Sequence, residues 1–139
     1  MFNLLGFIPY AHVADVNESI AFYEHLGLVL DSRFGPEGRP YWARMRQGNC
    51  DLMLALASGE IDPRNQAVLF YLHVDNLKAV REKLLAAGVQ DRGQYAGESE
   101  GEFPRSGCVF DIVSRDYMPS GEMRVHDPDG YVLLIGELG

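Results

Sequence analysis

The chain has 139 residues, of which 47% are hydrophobic, and its formal net charge at pH 7 is −8. This length suits one domain with an ordinary core, and the negative charge argues against a nucleic-acid partner, because that binding depends mainly on neutralising phosphates. No apolar run reaches the ~20 residues of a membrane span, and no leader pattern opens the sequence, so we expect a cytoplasmic protein without membrane contact. Two cysteines, Cys50 and Cys108, predict reduced, packed thiols.

An internal repeat organises the sequence. The segment 8–13 (Ile-Pro-Tyr-Ala-His-Val) recurs at 69–74 (Leu-Phe-Tyr-Leu-His-Val), and the same offset of 61 residues separates Gly27 from Gly88. A solenoid would need at least three copies, so two copies indicate a pair of equivalent modules. We therefore predict a single pseudo-symmetric domain of 1–139, with module one at 1–61 and module two at 62–139.

The first copy is predicted to run strand, helix, three strands. Its strand at 8–13 precedes Asp15 and Glu18, which are spaced as in a helix capping box, and Gly27 stands where the helix should end. Strand patterns then follow, with Gly and Pro at the joins. These three strands are expected at 28–34, 41–46 and 51–56.

The second copy repeats that order. Asp75 and Asn76 open its helix, and Gly88 ends it. Further strands are expected at 108–115, 123–126 and 131–137, which makes the fold class α+β. The polar segment 91–107 has no counterpart of equal length in the first copy. We interpret this segment as a solvated surface loop, the alternative being a lid that carries Tyr95 and Phe103.

Alternation of side chains along the first strand of each copy separates two faces. Tyr10 and His12 share one face, and Tyr71 and His73 share the equivalent face of the repeat. The opposite face is wholly apolar, so we expect it to pack against the following helix. These helix-packing sets are Pro9, Ala11 and Val13 in the first copy and Phe70, Leu72 and Val74 in the second.

The same alternation assigns faces on two later strands. Opposite the predicted core residues lie Trp42, Arg44 and Arg46 on one strand and Glu122, Arg124 and His126 on the other. We interpret Arg46 and Glu122 as parts of a solvated face, because charged side chains are almost never fully buried unless paired. Trp42 is the one Trp of the sequence and either stacks on a ligand or packs in the core.

Three segments carry a family resemblance. The sequences His-Val-Ala-Asp at 12–15, Ser-Ile-Ala-Phe-Tyr at 19–23 leading to Leu-Gly-Leu, and Asp-Pro-Asp-Gly-Tyr at 127–131 resemble the glyoxalase / bleomycin resistance / extradiol dioxygenase superfamily, also called vicinal oxygen chelate proteins. The resemblance spans nearly the whole chain. It implies two βαβββ modules in tandem that form a curled mixed sheet around a cleft, with the helices outside and the Tyr/His faces lining the cleft.

The resemblance also implies where a metal would bind. Enzymes of this superfamily hold a divalent metal with His or Gln on each module's first strand and with Glu on each module's last strand. The corresponding residues here are Ile8, Met53, Leu69 and Leu134. Aliphatic side chains and a thioether offer almost nothing to zinc, nickel, iron or manganese. We therefore expect no metal and no cofactor.

His12 and His73 leave a second possibility open. Imidazole suits both metal binding and acid–base catalysis, and the two residues occupy equivalent positions. No carboxylate shares their strand face beside them, however, so we interpret both as hydrogen-bonded histidines of the cleft wall that can contact a ligand. A displaced metal site or a catalytic pair is the alternative.

These observations favour the metal-free bleomycin resistance branch, whose members sequester a drug in clefts between two subunits. Pro-Ser-Gly-Glu at 119–122 resembles the segment before the last hairpin in that branch, although Ser120 replaces a stacking Trp. We predict a metal-independent binding protein for a drug or aromatic metabolite. The predicted ligand contacts are Tyr10, His12, Trp42, Arg44, Met53, Tyr71, His73, Arg124 and Leu134.

The charge of the ligand stays open, because an acidic protein suits cationic drugs whereas the predicted face carries Arg44 and Arg124. A homodimer is expected, since twofold pairing is the commonest way to cover strand edges and apolar surface, and the apolar residues 2–7 could cross to the partner. The competing interpretations are a lyase or dioxygenase with a non-standard metal site, a metal-free isomerase using His12 or His73, and a regulatory or structural dimer.

Overall fold

The computed structural model describes residues 1–66, 69–97 and 104–139. The chain divides into two compact units, Met1–Ile61 and Asp62–Gly139. In these described ranges, each unit contains one α-helix and its own open sheet, which gives the predicted α+β fold. Within the described residues, no helix combines the length and the apolar character needed to cross a membrane.

The first unit has the predicted order of elements. Its helix starts at a capping residue, because the Asp15 carboxylate accepts a hydrogen bond from Glu18 N at 3.1 Å. The elements are β1 (Tyr10–Val13), α1 (Val16–Glu24), β2 (Val29–Phe34), β3 (Trp42–Gln47) and β4 (Cys50–Leu56). The sheet order is β1-β4-β3-β2, with β1 parallel to β4 and the other pairs antiparallel.

The second unit begins with one 3₁₀ turn at Pro63–Asn65 and then repeats the strand and helix. The elements are β5 (Leu69–Val74), α2 (Leu77–Ala86), β6 (Gln90–Asp91), β7 (Cys108–Val109), β8 (Val113–Arg115), β9 (Met118–His126) and β10 (Val132–Glu137). The sheet order is β5-β10-β9-β7-β6, and β8 pairs with β9. β5 is parallel to β10, as β1 is to β4.

The second unit differs from the prediction in three respects, the first being the unpredicted short strand β6, which pairs in parallel with β7. The stretch expected at 108–115 is divided into β7 and β8, both antiparallel to β9. β9 starts at Met118, before the expected 123, because pairing with β8 extends it through the turn-like sequence Pro-Ser-Gly. Pro119 has no N–H for the ladder, but its carbonyl accepts a hydrogen bond from Ser114 Oγ at 3.0 Å.

The predicted alternation of faces is confirmed in both sheets except at Pro9, which was predicted to pack against the helix but is exposed because it lies before the start of β1. Ala11 and Val13 are buried, whereas Tyr10 is 56% exposed. In β5, Tyr71 is exposed and its neighbours Phe70 and Leu72 are less so. The core sides of the later strands are likewise buried, and the residues concerned are Ala43, Met45, Met123 and Val125.

Two burial predictions are wrong. Cys50 is exposed, because it is the first residue after the tight turn that joins β3 to β4. Cys108 is buried as expected, and burial raises the pKa of its thiol. Glu122 is buried rather than solvated, since two phenol groups satisfy its carboxylate. Arg46 is exposed, as predicted.

The Asp-Pro-Asp-Gly segment forms a buried turn between β9 and β10. The Asp127 side chain accepts hydrogen bonds from Asp129 N and Tyr131 N, both at 2.9 Å. Gly130 has φ +82°, and a Cβ there would overlap the backbone of Pro63. The Asp-Pro-Asp-Gly motif therefore forms a structural turn of the fold.

The polar segment 91–107 is described only in part. Tyr95 packs edge-on against Phe110, with ring centroids 5.2 Å apart, so this part of the segment lies against the sheet. Phe103, the other aromatic residue of the predicted lid, lies outside the described residues.

Candidate functional site

The strand register of the first unit places five predicted site residues on one sheet face. Tyr10, Met53 and Arg44 form a row across β1, β4 and β3. His12 and Trp42 lie in the next row, separated by one residue of β4. This face is opposite the buried residues of β1 and β3, so the side chains are available for contact with a molecule outside the unit.

An aromatic depression lies on this face. Trp42 faces Phe34 in the antiparallel ladder, and their rings stack with centroids 5.4 Å apart and an interplanar angle of 28°. Together with Tyr10 and Tyr41 they line a depression of about 320 Å³. Phe34 and Tyr41 were not among the residues predicted from the sequence. The pairing of β2 with β3 would have indicated Phe34, because cross-strand partners share a face.

Arg44 is ion-paired within the first unit, to an aspartate that it shares with Arg46. Its Nε lies 3.0 Å from Asp51 Oδ1, and Arg46 Nε lies 2.9 Å from the same oxygen. Asp51 faces Arg46 directly in the ladder and reaches Arg44 diagonally. The cationic part of this face is therefore an ion-paired cluster of two arginines and one aspartate.

The second unit places the remaining predicted residues in an equivalent pattern. Tyr71, Leu134 and Arg124 form a row across β5, β10 and β9. His73 and Glu122 lie in the next row, separated by Gly136. The internal sequence repeat is thus matched by an equivalent strand register in the two units. Glu122 occupies the position that Trp42 has in the first unit.

Glu122 anchors a hydrogen-bonded cluster on this face. Only 7% of the residue is exposed, and its Oε2 accepts a hydrogen bond from Tyr71 OH at 2.6 Å. Oε1 accepts one from Tyr117 OH at 2.9 Å, and Arg115 Nε lies 4.0 Å away. The hydrogen bond to Glu122 raises the pKa of Tyr71 to about 12 and also raises the pKa of Tyr117. Both phenols remain protonated donors at neutral pH.

The alternation along its strand predicted Glu122 on this face, but the partners of Glu122 were not predicted. Tyr71 stands in the adjacent row, which allows a diagonal contact that the separate strand patterns do not show. Tyr71 also meets His73 edge-on, with ring centroids 5.3 Å apart. Tyr71 therefore connects the predicted histidine to the buried carboxylate.

Arg124 is held by aromatic groups. Its Nε donates a hydrogen bond to His126 Nε2 at 2.9 Å, and its guanidinium carbon lies 4.1 Å from the centre of the Tyr95 ring. Burial, followed by the nearby charge of Arg124, lowers the pKa of His126 to about 4. His126 is therefore neutral at physiological pH and can accept the hydrogen bond from Arg124.

The residues at the family's metal positions do not fit a metal ion. Met53 lies between Tyr10 and Arg44, and Leu134 lies between Tyr71 and Arg124. The first-strand positions carry no nitrogen or oxygen donor in their side chains, since they are Ile8 and Leu69. In the described part of the chain, no three His, Cys, Asp or Glu side chains are grouped as a metal ion would require.

The repeated strand–helix–sheet units define a tandem α+β protein in which each sheet has a polar and aromatic face opposite its core. A family model places the chain more specifically. Residues 10–135 match the Glyoxalase/Bleomycin resistance protein/Dioxygenase superfamily, and the chain belongs to that superfamily. A sequence search of curated proteins gave no significant match.

Solved structures share the fold. A bleomycin-binding protein complexed with bleomycin matches with a TM-score of 0.70 at 21% identity, covering 96% of this chain and 98% of that one. The bleomycin-binding protein from Streptomyces verticillus, complexed with copper(II)-bleomycin, matches with a TM-score of 0.67 at 22% identity, covering 100% of both chains. TnmS3, an antibiotic-binding protein from Streptomyces sp. CB03234, matches with a TM-score of 0.65 at 17% identity, covering 95% and 93%.

Proposed function

We propose that this chain is a metal-independent binding protein that sequesters a small aromatic molecule, such as a drug or aromatic metabolite. The observation that carries the proposal is the chemistry at the centre of each candidate site. Met53 and Leu134 provide apolar surface where the family's enzymes have a metal-binding carboxylate, and each has a Tyr on one side and an Arg on the other.

The aromatic depression of the first unit supports an aromatic ligand. Small-molecule sites are mostly apolar and aromatic, with a few polar groups that fix the orientation of the ligand. The exposed rings of Tyr10, Phe34 and Tyr41 offer surface for stacking, and Trp42 extends it. Arg44 and His12 on the same face would supply the polar groups.

The structural neighbours support the same class of function. Two of them are described as complexes with bleomycin and a third as an antibiotic-binding protein. Their identity to this chain is at most 22%, so their ligands are not transferred to it. We extend only the general role, which is binding of a small molecule. The cytoplasmic location stays a prediction.

We further propose that the protein is an isologous homodimer. Residues 1–7 form no helix or strand, and their large apolar side chains are almost fully exposed. Phe2, Leu5 and Phe7 are 87%, 95% and 90% exposed. A run of apolar side chains of this kind favours burial against a second copy.

Trp42 provides a direct test of ligand binding. It is the one Trp in the chain and lines the aromatic depression, so an aromatic molecule bound there should change its fluorescence. We expect saturable quenching when neutral 2-naphthamide is titrated into the protein. Tyr10→Ala should weaken the binding, whereas Tyr131→Phe, at a buried residue of the scaffold, should not. Absence of saturable quenching, together with no heat in calorimetry, would reject the proposal.

A further inference from the structure

The two equivalent arginines have different surroundings. Arg44 is paired with Asp51 at 3.0 Å, and Asp51 faces Arg46 in the ladder. In the second unit, Val132 occupies the position equivalent to Asp51, and it faces His126, which is equivalent to Arg46. The second unit has therefore replaced the carboxylate with an aliphatic side chain and the second arginine with a neutral imidazole.

Arg124 consequently has no ion pair among the residues that the structure describes. The acid nearest to it along β9 is Glu122, and both Glu122 oxygens accept phenol hydrogen bonds. Arg115 is the cation within ion-pair distance of Glu122 in the described part of the chain, at 4.0 Å. Among the described residues, the charge of Arg124 is thus left without an acidic partner, on a face that the sequence predicted to contact ligand.

The orientation of Arg124 is fixed before any ligand arrives. Nε is occupied by His126, and the guanidinium plane is supported by the Tyr95 ring. Across the described residues, the terminal amino groups of Arg124 make no hydrogen bond. A guanidinium presents these groups in a planar fork that matches the two oxygens of a carboxylate.

We propose that Arg124 binds the carboxylate of an aromatic carboxylic acid whose ring system lies over Leu134 and Tyr71. Strands are spaced about 4.8 Å apart, so the row from Arg124 to Tyr71 spans roughly 10 Å. A two-ring aromatic acid can cover this distance. The inference rests on the proposed function and gives it a ligand class, which the sequence had left open.

The test compares 2-naphthoate with its neutral isostere 2-naphthamide by isothermal titration calorimetry. The wild type should bind the acid about tenfold or more tightly than the amide, because charge-assisted bidentate hydrogen bonds form only with the acid. Arg124→Gln should lose this preference and bind both probes alike. Arg124→Lys keeps the charge but lacks the planar fork, so its preference for the acid should lie between those of the wild type and Arg124→Gln.

Arg115→Gln is the matched control, because it also removes one positive charge from the second unit but lies next to Glu122. It should keep the preference for the acid, and a circular dichroism spectrum should show that each variant is folded. Equal affinity of the wild type for acid and amide, or an unchanged preference in Arg124→Gln, would overturn the inference while leaving the proposed function in place. Failure of the wild type to bind either probe would reject both.

Discussion

Glu122 is a buried carboxylate held mainly by phenol hydroxyls. Burying an ionised group is costly unless hydrogen bonds replace the lost water. Tyr71 and Tyr117 supply these bonds at 2.6 Å and 2.9 Å, one to each oxygen. The strand pattern placed Glu122 on the correct face, but its burial could not be predicted, because burial depends on Tyr71 of β5 and Tyr117 of the β8–β9 turn, which meet it only in the folded sheet.

Removing one phenol hydroxyl should destabilise the second unit. Tyr71→Phe leaves Glu122 Oε2 without its hydrogen bond, and we expect a loss of about 1–2 kcal/mol in the free energy of unfolding. Tyr10→Phe is the matched control, because Tyr10 occupies the equivalent row of the first unit; it should change stability by less than about 0.5 kcal/mol. Urea unfolding measures both, and equal losses would contradict the role given to the hydroxyl.

His126 should make stability dependent on pH. Its folded-state pKa of about 4 lies below the usual 6.5, so the unfolded chain takes up the proton first as the pH falls. Its stabilising contribution is complete above about pH 6.5 and is lost between about pH 6.5 and 4. Arg124 and Arg92 are the charged groups that oppose its protonation.

The non-titrating variant His126→Gln isolates this effect. Between about pH 7.5 and pH 4.5 the wild type should lose roughly 2–3 kcal/mol more stability than the variant, as the two pKa values require. Urea unfolding at a series of pH values measures the difference. Parallel pH dependences for the two proteins would show that His126 does not remain neutral in the fold.

The elements of the first unit follow closely from local sequence signals. Asp15 and Gly27 delimit the helix, and the three later strands lie within about a residue of their expected bounds. The second unit is less predictable, because β7 and β8 together replace one expected strand. Their division depends on pairing with β9, a contact between distant parts of the sequence that residue patterns do not contain.

The turn between β9 and β10 gives a test at Gly130. Gly130→Ala must adopt φ near +82° and must also place a Cβ against the Pro63 backbone. Gly38→Ala has a similar φ of +80° but no atom within 4 Å of its Cβ. We expect a loss of about 1 kcal/mol at Gly38 and at least 2–3 kcal/mol more at Gly130. Similar thermal stabilities of the two variants would contradict the close approach to Pro63.

The candidate site combines predictable and unpredictable features. Strand alternation predicted the faces of the seven Tyr, His, Trp and Arg residues, and the family resemblance predicted Met53 and Leu134. Their arrangement in rows comes from the register of the strands. The different environments of Arg44 and Arg124 could not be predicted, because they depend on Asp51 and Tyr95, which approach from other segments. The proposed ligand specificity therefore depends on residues around the repeated pattern.

For the assembly, we expect a homodimer in which residues 1–7 contact the partner. Light scattering at micromolar concentration should give twice the monomer mass of 15.5 kDa. Replacing two exposed apolar residues in Leu5→Asp/Phe7→Asp should shift the protein to monomer without unfolding it, because neither side chain is buried within its own chain. A wild-type protein that remains monomeric would refute the dimer.

The central claim is that aromatic ligand binding needs no metal, and calorimetry of 2-naphthamide binding in the presence of EDTA tests it most directly. Ile8, Met53, Leu69 and Leu134 cannot hold a divalent ion, so we expect the same affinity with EDTA, without it, and with added zinc, nickel, manganese or ferrous iron. Binding that EDTA abolishes and one of these ions restores, with one ion retained per subunit after dialysis, would contradict the claim and favour a metal-dependent enzyme.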